Sequence, residues 1–332
     1  MAPLIVGLAG IRLREDERAF LAETRPLGII LFARNIGSAE EIERLVADAK
    51  AASGASLVFI DQEGGRVQRI RPPLVPRYPP AAAIGRVFEA DEAAGRRAAY
   101  LVGYLIASDL ARFGINAPCL PVADVPVPGS HDVIGDRAYA TTPGAVAILA
   151  GAAAAGVKAA GGFPVLKHIP GHGRAAVDSH VSLPVVDASR EALEADFTPF
   201  RELSALPMAM TAHVRYTALD PARCATLSPT VINLIRNEIG FDGLLMSDDI
   251  SMGALGSDLA DNAAAALAAG CDCVLHCNGD LAEMRLLADH LAPMAPLAAR
   301  RLAQVLNGRS APEAGDIEAM REEFAALTGA AV

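Results

Sequence analysis

The sequence contains no tryptophan, and aromatic residues make up only 5% of its 332 residues. Positive charge is also scarce, because 29 lysines and arginines stand against 39 aspartates and glutamates, which gives a net charge of −10. Nucleic acids and anionic membrane surfaces repel such a chain unless it has a strong basic patch, and the sequence shows none. We therefore expect neither a nucleic acid nor a membrane as a partner.

Long apolar segments are missing as well. The most apolar stretch, Ala145 to Val157, is well short of the roughly 20 residues that cross a bilayer, and we expect it to form a buried helix. The N-terminal run Met1 to Leu8 lacks the basic start and apolar core of a signal peptide, so we expect a cytoplasmic protein. With 52% apolar and 20% charged residues, the composition predicts a folded chain with a large core.

The five cysteines are an odd number, and their spacing is not that of a structural zinc site. Cys271, Cys273 and Cys277 form a C-x-C-x3-C cluster without the paired C-x2-C motifs that such sites use. We interpret the cysteines as small buried thiols in a reducing compartment.

Short apolar runs alternate with stretches of helical periodicity along the whole chain, a pattern typical of parallel sheets with connecting helices. The predicted strands are Leu4 to Gly7, Gly28 to Phe32, Leu57 to Asp61, Ile115 to Leu120, Pro164 to Lys167, Met208 to Ala212, Leu244 to Ser247 and Cys273 to His276. Several predicted helices begin at Ser, Thr or Asp residues that can cap them. These helices include Ala39 to Ala52, Asp91 to Phe113, Thr142 to Ala160, Ser228 to Glu238, Asp258 to Ala269 and Ala282 to Leu291.

Both a closed (β/α)8 barrel, the TIM barrel, and an open doubly wound sheet give this alternation. We favour the barrel because no G-x-G-x-x-G motif follows an early strand. In addition, chemically unusual residues follow many different strands, as they do in barrel active sites. No linker divides the chain, so we expect a single α/β barrel domain over residues 1–332, with a C-terminal helix at about 312–330.

The longest predicted loop follows the strand that ends at Lys167. About sixteen residues without helical periodicity come after it, whereas connections after barrel strands usually take about 2 to 6 residues. Long loops of this kind tend to be functional. This loop carries His168, His172, Asp178 and His180, which could form either a metal site or a proton-transfer pair with substrate contacts.

The spacing disfavours a metal site. His168 and His172 are four residues apart, but Pro170 and the neighbouring glycines prevent the helix that would bring them together, and no glutamate follows His168 as in H-E-x-x-H. Asp178 and His180 are two positions apart, so their side chains point the same way in an extended segment. The carboxylate can then orient the imidazole and raise its pKa, which makes His180 a candidate general acid/base.

The predicted strand Leu244 to Ser247 ends in two adjacent acids, Asp248 and Asp249. At the carboxyl end of a barrel strand, one of these carboxylates should face the pocket while its neighbour points towards other loops or a helix N-terminus.

Two more acids, Asp61 and Glu63, lie at the end of the predicted strand Leu57 to Asp61 and just after it. Asp61 is placed to accept hydrogen bonds from a substrate; the alternative is a structural acid bound to Arg66 or to backbone, and for Glu63 we favour this structural interpretation. Further candidates on other loops are Arg137, His213 and Arg215.

Six segments together resemble glycoside hydrolase family 3, and within it the short bacterial β-N-acetylglucosaminidases of peptidoglycan recycling. They span nearly the whole chain in order, which is far more specific than any single motif. The segments are GIILFARNI from Gly28, IDQEGGRVQRI from Ile60, VIGDRAY from Val133, KHIPGHG with DSH from Lys167, FDGLLMSDDISM from Phe241 and AGCDCVLHCN from Ala269.

The resemblance implies a TIM barrel and hydrolysis with retention of configuration. By the same match, Asp248 is the nucleophile, His180 is the general acid/base and Asp178 is its dyad partner. Contacts to a terminal N-acetylglucosamine are implied for Asp61, Arg69, Arg137, Lys167 and His168.

The implied substrate is a small carbohydrate, N-acetylglucosamine joined to anhydro-N-acetylmuramic acid with or without peptide. We expect a monomer that needs no cofactor and no metal. Because the chain has no tryptophan, polar contacts should dominate sugar recognition. A histidine acid/base also tolerates an anionic phosphate acceptor, so a glycoside phosphorylase stays open, as do a β-glucosidase on the same barrel and a non-catalytic sugar-binding protein.

Two short segments depart from the family pattern. Members often have GHGDT where this chain has Gly171 to Ala175 as GHGRA, and SMEG-like residues where it has Ser251 to Ala254 as SMGA. The first departure lies in the predicted catalytic loop, so it bears on the preference for the leaving group.

Overall fold

The computed structural model describes residues 1–177, 182–256 and 258–332. Eight strands form one parallel sheet and confirm all eight predicted strands. Their bounds are β1 Ala2–Gly7, β2 Pro26–Leu31, β3 Leu57–Ile60, β4 Ala117–Pro118, β5 Val165–Ile169, β6 Met208–Thr211, β7 Leu244–Asp249 and β8 Cys273–His276.

The strand order is β4-β3-β2-β1-β8-β7-β6-β5, so β4 and β5 are the two edges of the sheet. Backbone hydrogen bonds join these edges: the Val165 N–H donates to the Leu120 carbonyl at 2.8 Å, and the Ala123 N–H donates to the Lys167 carbonyl at 2.7 Å. The predicted (β/α)8 barrel is therefore confirmed, and the open doubly wound sheet is excluded.

β4 is much shorter than the predicted strand Ile115 to Leu120. Pro118 and Pro121 have no N–H group to donate to a neighbouring strand, which limits the regular ladder to two residues.

Eleven helices lie within the described ranges, and four of the predicted helix starts fall on Ser, Thr or Asp residues whose capping bonds can be compared. Asp91, Ser228 and Asp258 each accept a hydrogen bond from the first turn of their helix, whereas Thr142 makes no such bond. The bounds are α1 Glu15–Thr24, α2 Ala39–Ser53, α3 Ala81–Ala90, α4 Glu92–Ala111, α5 Pro143–Ala159, α6 Arg190–Glu202, α7 Pro229–Asn237, α8 Leu259–Ala269, α9 Leu281–His290, α10 Pro296–Asn307 and α11 Ile317–Thr328.

Two short strand pairs and four short 3₁₀ helices lie in the loops. The strand pairs are Gln62–Gly64 with Val67–Gln68, and Val185–Val186 with Arg215–Tyr216. The 3₁₀ helices are Ala33–Asn35, Gly135–Arg137, Ala225–Leu227 and Gly253–Leu255.

The apolar stretch Ala145 to Val157 forms most of α5, which packs closely against α4. A side chain at Gly103 of α4 would overlap the Ala153 carbonyl, and one at Gly156 of α5 would overlap the Tyr100 carbonyl. Glycine therefore allows the two backbones to approach, and the predicted buried helix is confirmed. In the described part of the chain, no helix is both long and apolar enough to cross a membrane.

The predicted C-terminal helix is confirmed as α11, which packs on α4. Arg321 lies 2.6 Å from the buried Asp109, and Phe324 is fully buried. All five cysteines carry free thiols, and four of them are buried, as expected.

Alternate residues of the barrel strands face the barrel interior. In β3, Leu57 and Phe59 belong to the interior cluster, whereas Val58 and Ile60 belong to the cluster that packs against the helices. Since side chains alternate along a strand, the next inward position after Phe59 is Asp61.

The same alternation directs polar side chains inward from two more strands. Val165 lies in the interior cluster, and Lys167 is the next inward residue of β5. Leu244 and Met246 lie in the same cluster, and Asp248 follows them on β7. The carboxyl end of the barrel thus receives charged groups from strands that are far apart in sequence.

Candidate active site

A cavity opens at the carboxyl ends of the strands, where a TIM barrel holds its active site. Six of the site residues predicted from the sequence line it: Asp61, Arg69, Arg137, Lys167, His168 and Asp248. The other two, Asp178 and His180, lie outside the residues that the structure describes. The remaining lining residues are Ile30, Phe32, Val67, Val133, Ile134, His172, Met210, Asp249, Met252, Leu275 and Cys277.

Asp61 lies between two cations. One of its carboxylate oxygens is 2.9 Å from Lys167 Nζ and the other is 2.9 Å from Arg69 Nη2. Burial raises the pKa of a carboxyl group, but here Lys167 and Arg69 outweigh burial and hold the pKa of Asp61 well below its usual value. Each carboxylate oxygen can accept more than one hydrogen bond, so an ionised Asp61 can still accept one from a ligand hydroxyl.

Glu63 holds two of the predicted substrate-binding residues. Its carboxylate accepts hydrogen bonds from Arg137 Nε and Nη2, both at 2.8 Å, and one of its oxygens lies 2.6 Å from Lys167 Nζ. Burial opposes ionisation, yet Arg137 and Lys167 together lower the pKa of Glu63 to about 2. Glu63 is therefore a charged structural residue that orients two cations towards the cavity.

Arg66, which the sequence offered as the partner if Asp61 or Glu63 were structural, pairs with neither acid in the described part of the chain and lies beside Asp132 and Asp136. Arg66 Nη2 instead donates to the carbonyl oxygens of Val133 at 2.8 Å and Ile134 at 3.1 Å, on the loop that carries Arg137. Arg66 thus connects two loops at the rim, and Arg69 takes the place beside Asp61.

His168 is oriented by a buried acid, Asp124, that the sequence analysis missed. His168 Nδ1 lies 2.7 Å from Asp124 Oδ2, and the other Asp124 oxygen accepts a hydrogen bond of 2.7 Å from the His172 N–H. Burial opposes ionisation of Asp124, but His168 lowers the pKa of this carboxyl group. An ionised Asp124 keeps the proton on His168 Nδ1, so Nε2 is the ring nitrogen available to a ligand.

The two adjacent acids on β7 have different surroundings. The Asp249 carboxylate accepts hydrogen bonds from the Ser251 hydroxyl at 2.8 Å and from the Cys277 N–H at 3.2 Å. Asp248 accepts one from the Asp249 N–H at 2.8 Å, and within residues 1–177, 182–256 and 258–332 no side chain donates to it. Asp249 is thus held by its own loop, whereas the Asp248 carboxylate is available to the cavity.

The electrostatic surroundings keep Asp248 ionised. Burial alone would raise its pKa, but the His213 and His168 imidazoles and the Asp249 N–H outweigh burial and lower the pKa of Asp248 below its usual value. An ionised carboxylate is the form that can attack an electrophilic carbon.

His213 is fully buried and contacts this strand end without lining the cavity. Its Nε2 lies 3.0 Å from the Asp249 carbonyl and its Nδ1 lies 2.8 Å from Thr226 Oγ1. Because the carbonyl can only accept, Nε2 carries a proton. Burial lowers the pKa of His213, although the nearby Asp248 and Asp249 oppose this effect. His213 thus positions the end of β7, and Arg215, in its short strand pair, does not line the cavity.

Some of the residues that sequence reasoning missed follow predicted strands and could have been found by that signal. Asp124 comes four residues after the predicted fourth strand, Phe32 ends the second and Cys277 follows the eighth. The guanidinium groups of Arg34 and Arg69 lie over the Phe32 ring, 5.1 and 5.5 Å from its centre. Phe32 gives the cavity one apolar wall among its charged groups.

A metal site at the histidines of the long loop is the alternative that the sequence left open. Among the residues that the structure describes, no three His, Cys, Asp or Glu side chains are grouped so that they could hold a metal ion. The His168 and His172 rings lie edge to face with their centres 5.5 Å apart, and His168 Nδ1 bonds to Asp124.

Known proteins are similar to this chain over most of its length. Residues 4–306 match the model of the glycosyl hydrolase family 3 N-terminal domain. A beta-hexosaminidase from Alkalilimnicola ehrlichii is 41% identical over 315 residues, covering 93% of this chain and 89% of that protein.

Solved structures are similar over the full length. NagZ from Neisseria gonorrhoeae in complex with N-trifluoroacetyl-D-glucosamine is 33% identical, with a TM-score of 0.88 over 100% of this chain and 98% of that one. The same enzyme in complex with a zinc ion is 32% identical, with a TM-score of 0.88 over 98% of both chains. The chain therefore belongs to glycosyl hydrolase family 3 and is a glycoside hydrolase of the beta-hexosaminidase type.

Proposed function

We propose that the protein is an exo-acting, retaining β-N-acetylglucosaminidase with Asp248 as its nucleophile. The observation that carries this proposal is the position of the Asp248 carboxylate. It ends the inward row of β7, is kept ionised, and shares a small cavity with the charged side chains of Asp61, Lys167 and Arg137. A single nucleophilic carboxylate beside a polar pocket suits the removal of one terminal sugar.

The first chemical step forms a covalent glycosyl-enzyme. Asp248 attacks the anomeric carbon while the bond to the leaving oxygen breaks, and His180, cationic through its pairing with Asp178, transfers its proton to that oxygen. In the second step the now neutral His180 takes a proton from water, whose oxygen attacks the anomeric carbon and releases Asp248. Two inversions at the same carbon retain the β configuration. The parts of Asp178 and His180 rest on the family resemblance.

The charged cluster supports recognition of an amino sugar. Ionised Asp61 and Asp248 offer acceptors for hydroxyl or amide N–H groups, while Lys167 and Arg137 offer donors for sugar oxygens. The N-trifluoroacetyl-D-glucosamine bound to the similar NagZ supports a pocket for a single N-acylated glucosamine. We propose N-acetylglucosamine linked to anhydro-N-acetylmuramic acid, with or without peptide, as the natural substrate. The cytoplasmic location, the monomeric state and the single domain stay predictions from the sequence.

The test compares two adjacent acids with p-nitrophenyl β-N-acetylglucosaminide as substrate. Asp248→Asn should lower kcat/KM by roughly 10³-fold or more, because it removes the nucleophile. Asp249→Asn should lower it only about 10-fold, because Asp249 holds the loop and not the sugar. Proton NMR of the first product should show the β anomer; an α anomer as first product, or full activity in Asp248→Asn, would overturn the proposal.

The same assay separates the alternatives. A phosphorylase would turn over faster with inorganic phosphate and release the sugar phosphate, whereas the proposed hydrolase should be indifferent to phosphate. A β-glucosidase would prefer p-nitrophenyl β-glucoside. Turnover that disappears with EDTA and returns with zinc would revive the metal site.

A further inference from the structure

We propose that Arg174 and Asp196 form a clamp that positions the segment carrying the general acid, so that Arg174 is a positioning residue for proton transfer to the leaving group. The inference rests on the proposed function, because it assigns Arg174 to the acid step of that reaction. Arg174 is also the residue at which the chain departs from the GHGDT pattern of its family.

The clamp joins the loop after β5 to helix α6. Arg174 Nε lies 2.5 Å from Asp196 Oδ2, and Arg174 Nη2 donates to the Ala192 carbonyl at 2.9 Å. The Asp196 side chain is only 3% exposed and the Arg174 side chain 22%, so the acid is buried and the arginine covers it from the solvent side. Arg174 stands four residues before Asp178 and six before His180, and only Ala175, Ala176 and Val177 separate it from Asp178.

The rest of this segment is held from other sides. The Tyr216 hydroxyl donates to the Gly171 carbonyl, and the His131 N–H donates to the Ala175 carbonyl at 2.7 Å. At Gly173 any side chain would overlap the Val125 carbonyl, so this turn lies directly against the backbone. Residues 171–175 are thus a fixed base from which the chain enters the acid/base segment, and Arg174 ties this base to helix α6 through an ion pair.

The surroundings of Asp196 indicate that the clamp does more than stabilise the fold. The second carboxylate oxygen, Oδ1, is buried and has no hydrogen-bond partner within the described part of the chain. Burial raises the pKa of Asp196 to about 6 even though Arg174 favours the charged form. A buried and incompletely satisfied ion pair contributes little net stability, so its contribution is the geometry it enforces on the loop.

Proton transfer makes a strict demand on that geometry. A general acid must reach within hydrogen-bond distance of the departing oxygen, and a displacement of about 1 Å can reduce the rate on the order of 100-fold. A leaving group that is stable as an anion departs without a proton, whereas a basic one does not. Loss of positioning should therefore slow only those substrates whose leaving group needs the acid.

The experiment compares two aryl β-N-acetylglucosaminides, one releasing 2,4-dinitrophenol and the other releasing unsubstituted phenol. For Arg174→Ala, kcat/KM with the phenyl substrate should fall about 10- to 100-fold, while kcat/KM with the dinitrophenyl substrate should fall less than about 3-fold. Asp196→Asn, which keeps the size of the side chain, should show the same selectivity. Arg174→Lys should lie between the wild type and Arg174→Ala.

The matched control is Arg190→Ala, which removes an arginine of α6 that pairs with Glu194 and Glu238 instead of with the loop. It should change neither rate by more than about 2-fold. Equal losses on both substrates in Arg174→Ala and Asp196→Asn would show a purely structural pair, and unchanged rates would show no role; either result would overturn the clamp. If the wild type cleaved neither substrate, the proposed function itself would fail, which is a distinct outcome.

Discussion

The Glu63 carboxylate meets the Arg137 guanidinium in parallel, with two nitrogens of Arg137 each 2.8 Å from a different oxygen of Glu63. This two-pronged pairing fixes the plane of the guanidinium as well as its position. Only 13% of the Arg137 side chain is exposed, and that part faces the cavity. The pair therefore presents an arginine to the cavity in one orientation.

Replacing Arg137 by lysine should show how much the fixed orientation of the guanidinium contributes to kcat/KM. A lysine keeps the charge but cannot form the two parallel bonds, so we expect Arg137→Lys to lower kcat/KM about 10- to 100-fold. The matched control is Arg97→Lys, because Arg97 makes the same two-pronged pair with Glu323 on the outer helices, at 2.8 and 2.7 Å. Equal effects of the two substitutions in initial-rate measurements would contradict a role in substrate binding.

The lowered pKa of Glu63 predicts a pH dependence of stability. Its pKa falls from an ordinary 4.5 to about 2 in the folded protein, so its stabilising contribution is complete above about pH 4.5 and is lost as the pH falls towards 2. A difference of this size between the ordinary and the folded pKa corresponds to roughly 3 kcal/mol. We expect Glu63→Gln to have a lower free energy of unfolding at about pH 5 and a much flatter pH profile below it.

Urea unfolding across this pH range measures the effect, and Glu43→Gln is the control. Glu43 is an exposed residue of α2, and its substitution should leave the wild-type profile intact. Parallel profiles for the wild type and Glu63→Gln would show that Glu63 is not held in its charged form by Arg137 and Lys167.

Asp124 should matter for catalysis through His168. In Asp124→Asn the charged acceptor of the His168 Nδ1 proton is lost, which removes a bond worth about 1.5 to 3 kcal/mol and should reduce kcat/KM about 10- to 100-fold. Asp109→Asn is the comparison, because Asp109 is an equally buried acid that binds Tyr78 and Arg321 on the outside of the barrel. It should lower the melting temperature and leave kcat/KM of the folded enzyme unchanged. A similar kinetic loss in both variants would refute the orienting role.

The tight turn at Gly173 predicts a strict requirement for glycine. Gly173→Ala should destabilise the protein by about 1 to 3 kcal/mol and reduce activity, because the added methyl group would overlap the Val125 carbonyl. Gly144→Ala, where a methyl group meets open space at the start of α5, should be neutral or slightly stabilising. Thermal unfolding compares the two, and a neutral Gly173→Ala would disprove close packing of the loop base.

Much of the barrel and part of the site could be predicted from the sequence for a simple physical reason. Strand alternation is strong and local, so an acid that directly follows an apolar strand, such as Asp61 or Asp248, falls at the rim. Asp124 was missed because its strand is shortened by prolines, and the inward row there is not visible as a pattern. A second difficulty is to predict which of two neighbouring polar side chains contacts a given site residue, because this depends on how the loop folds.

Arg66 and Arg69 illustrate that second difficulty. Both follow the same pair of glycines, and spacing alone favours neither as the partner of Asp61. Two buried glutamine amides decide the outcome: Gln62 Oε1 accepts a hydrogen bond from the Arg69 N–H at 2.8 Å, and Gln68 Nε2 donates to the Pro76 carbonyl at 2.7 Å. These non-local bonds fold the loop back on itself and place Arg69 beside Asp61.

The alternation of inward and outward residues also limits how this chain can change in length. Removing one residue from the middle of β7 would shift Asp248 to the face that packs against the helices and would bring Ser247 or Asp249 to the cavity. The same slip in β3 would replace Asp61 at the rim with Ile60 or Gln62. Insertions and deletions of single residues should therefore be tolerated between the elements. Within these two strands they should not be tolerated, because only one register directs Asp61 and Asp248 into the cavity.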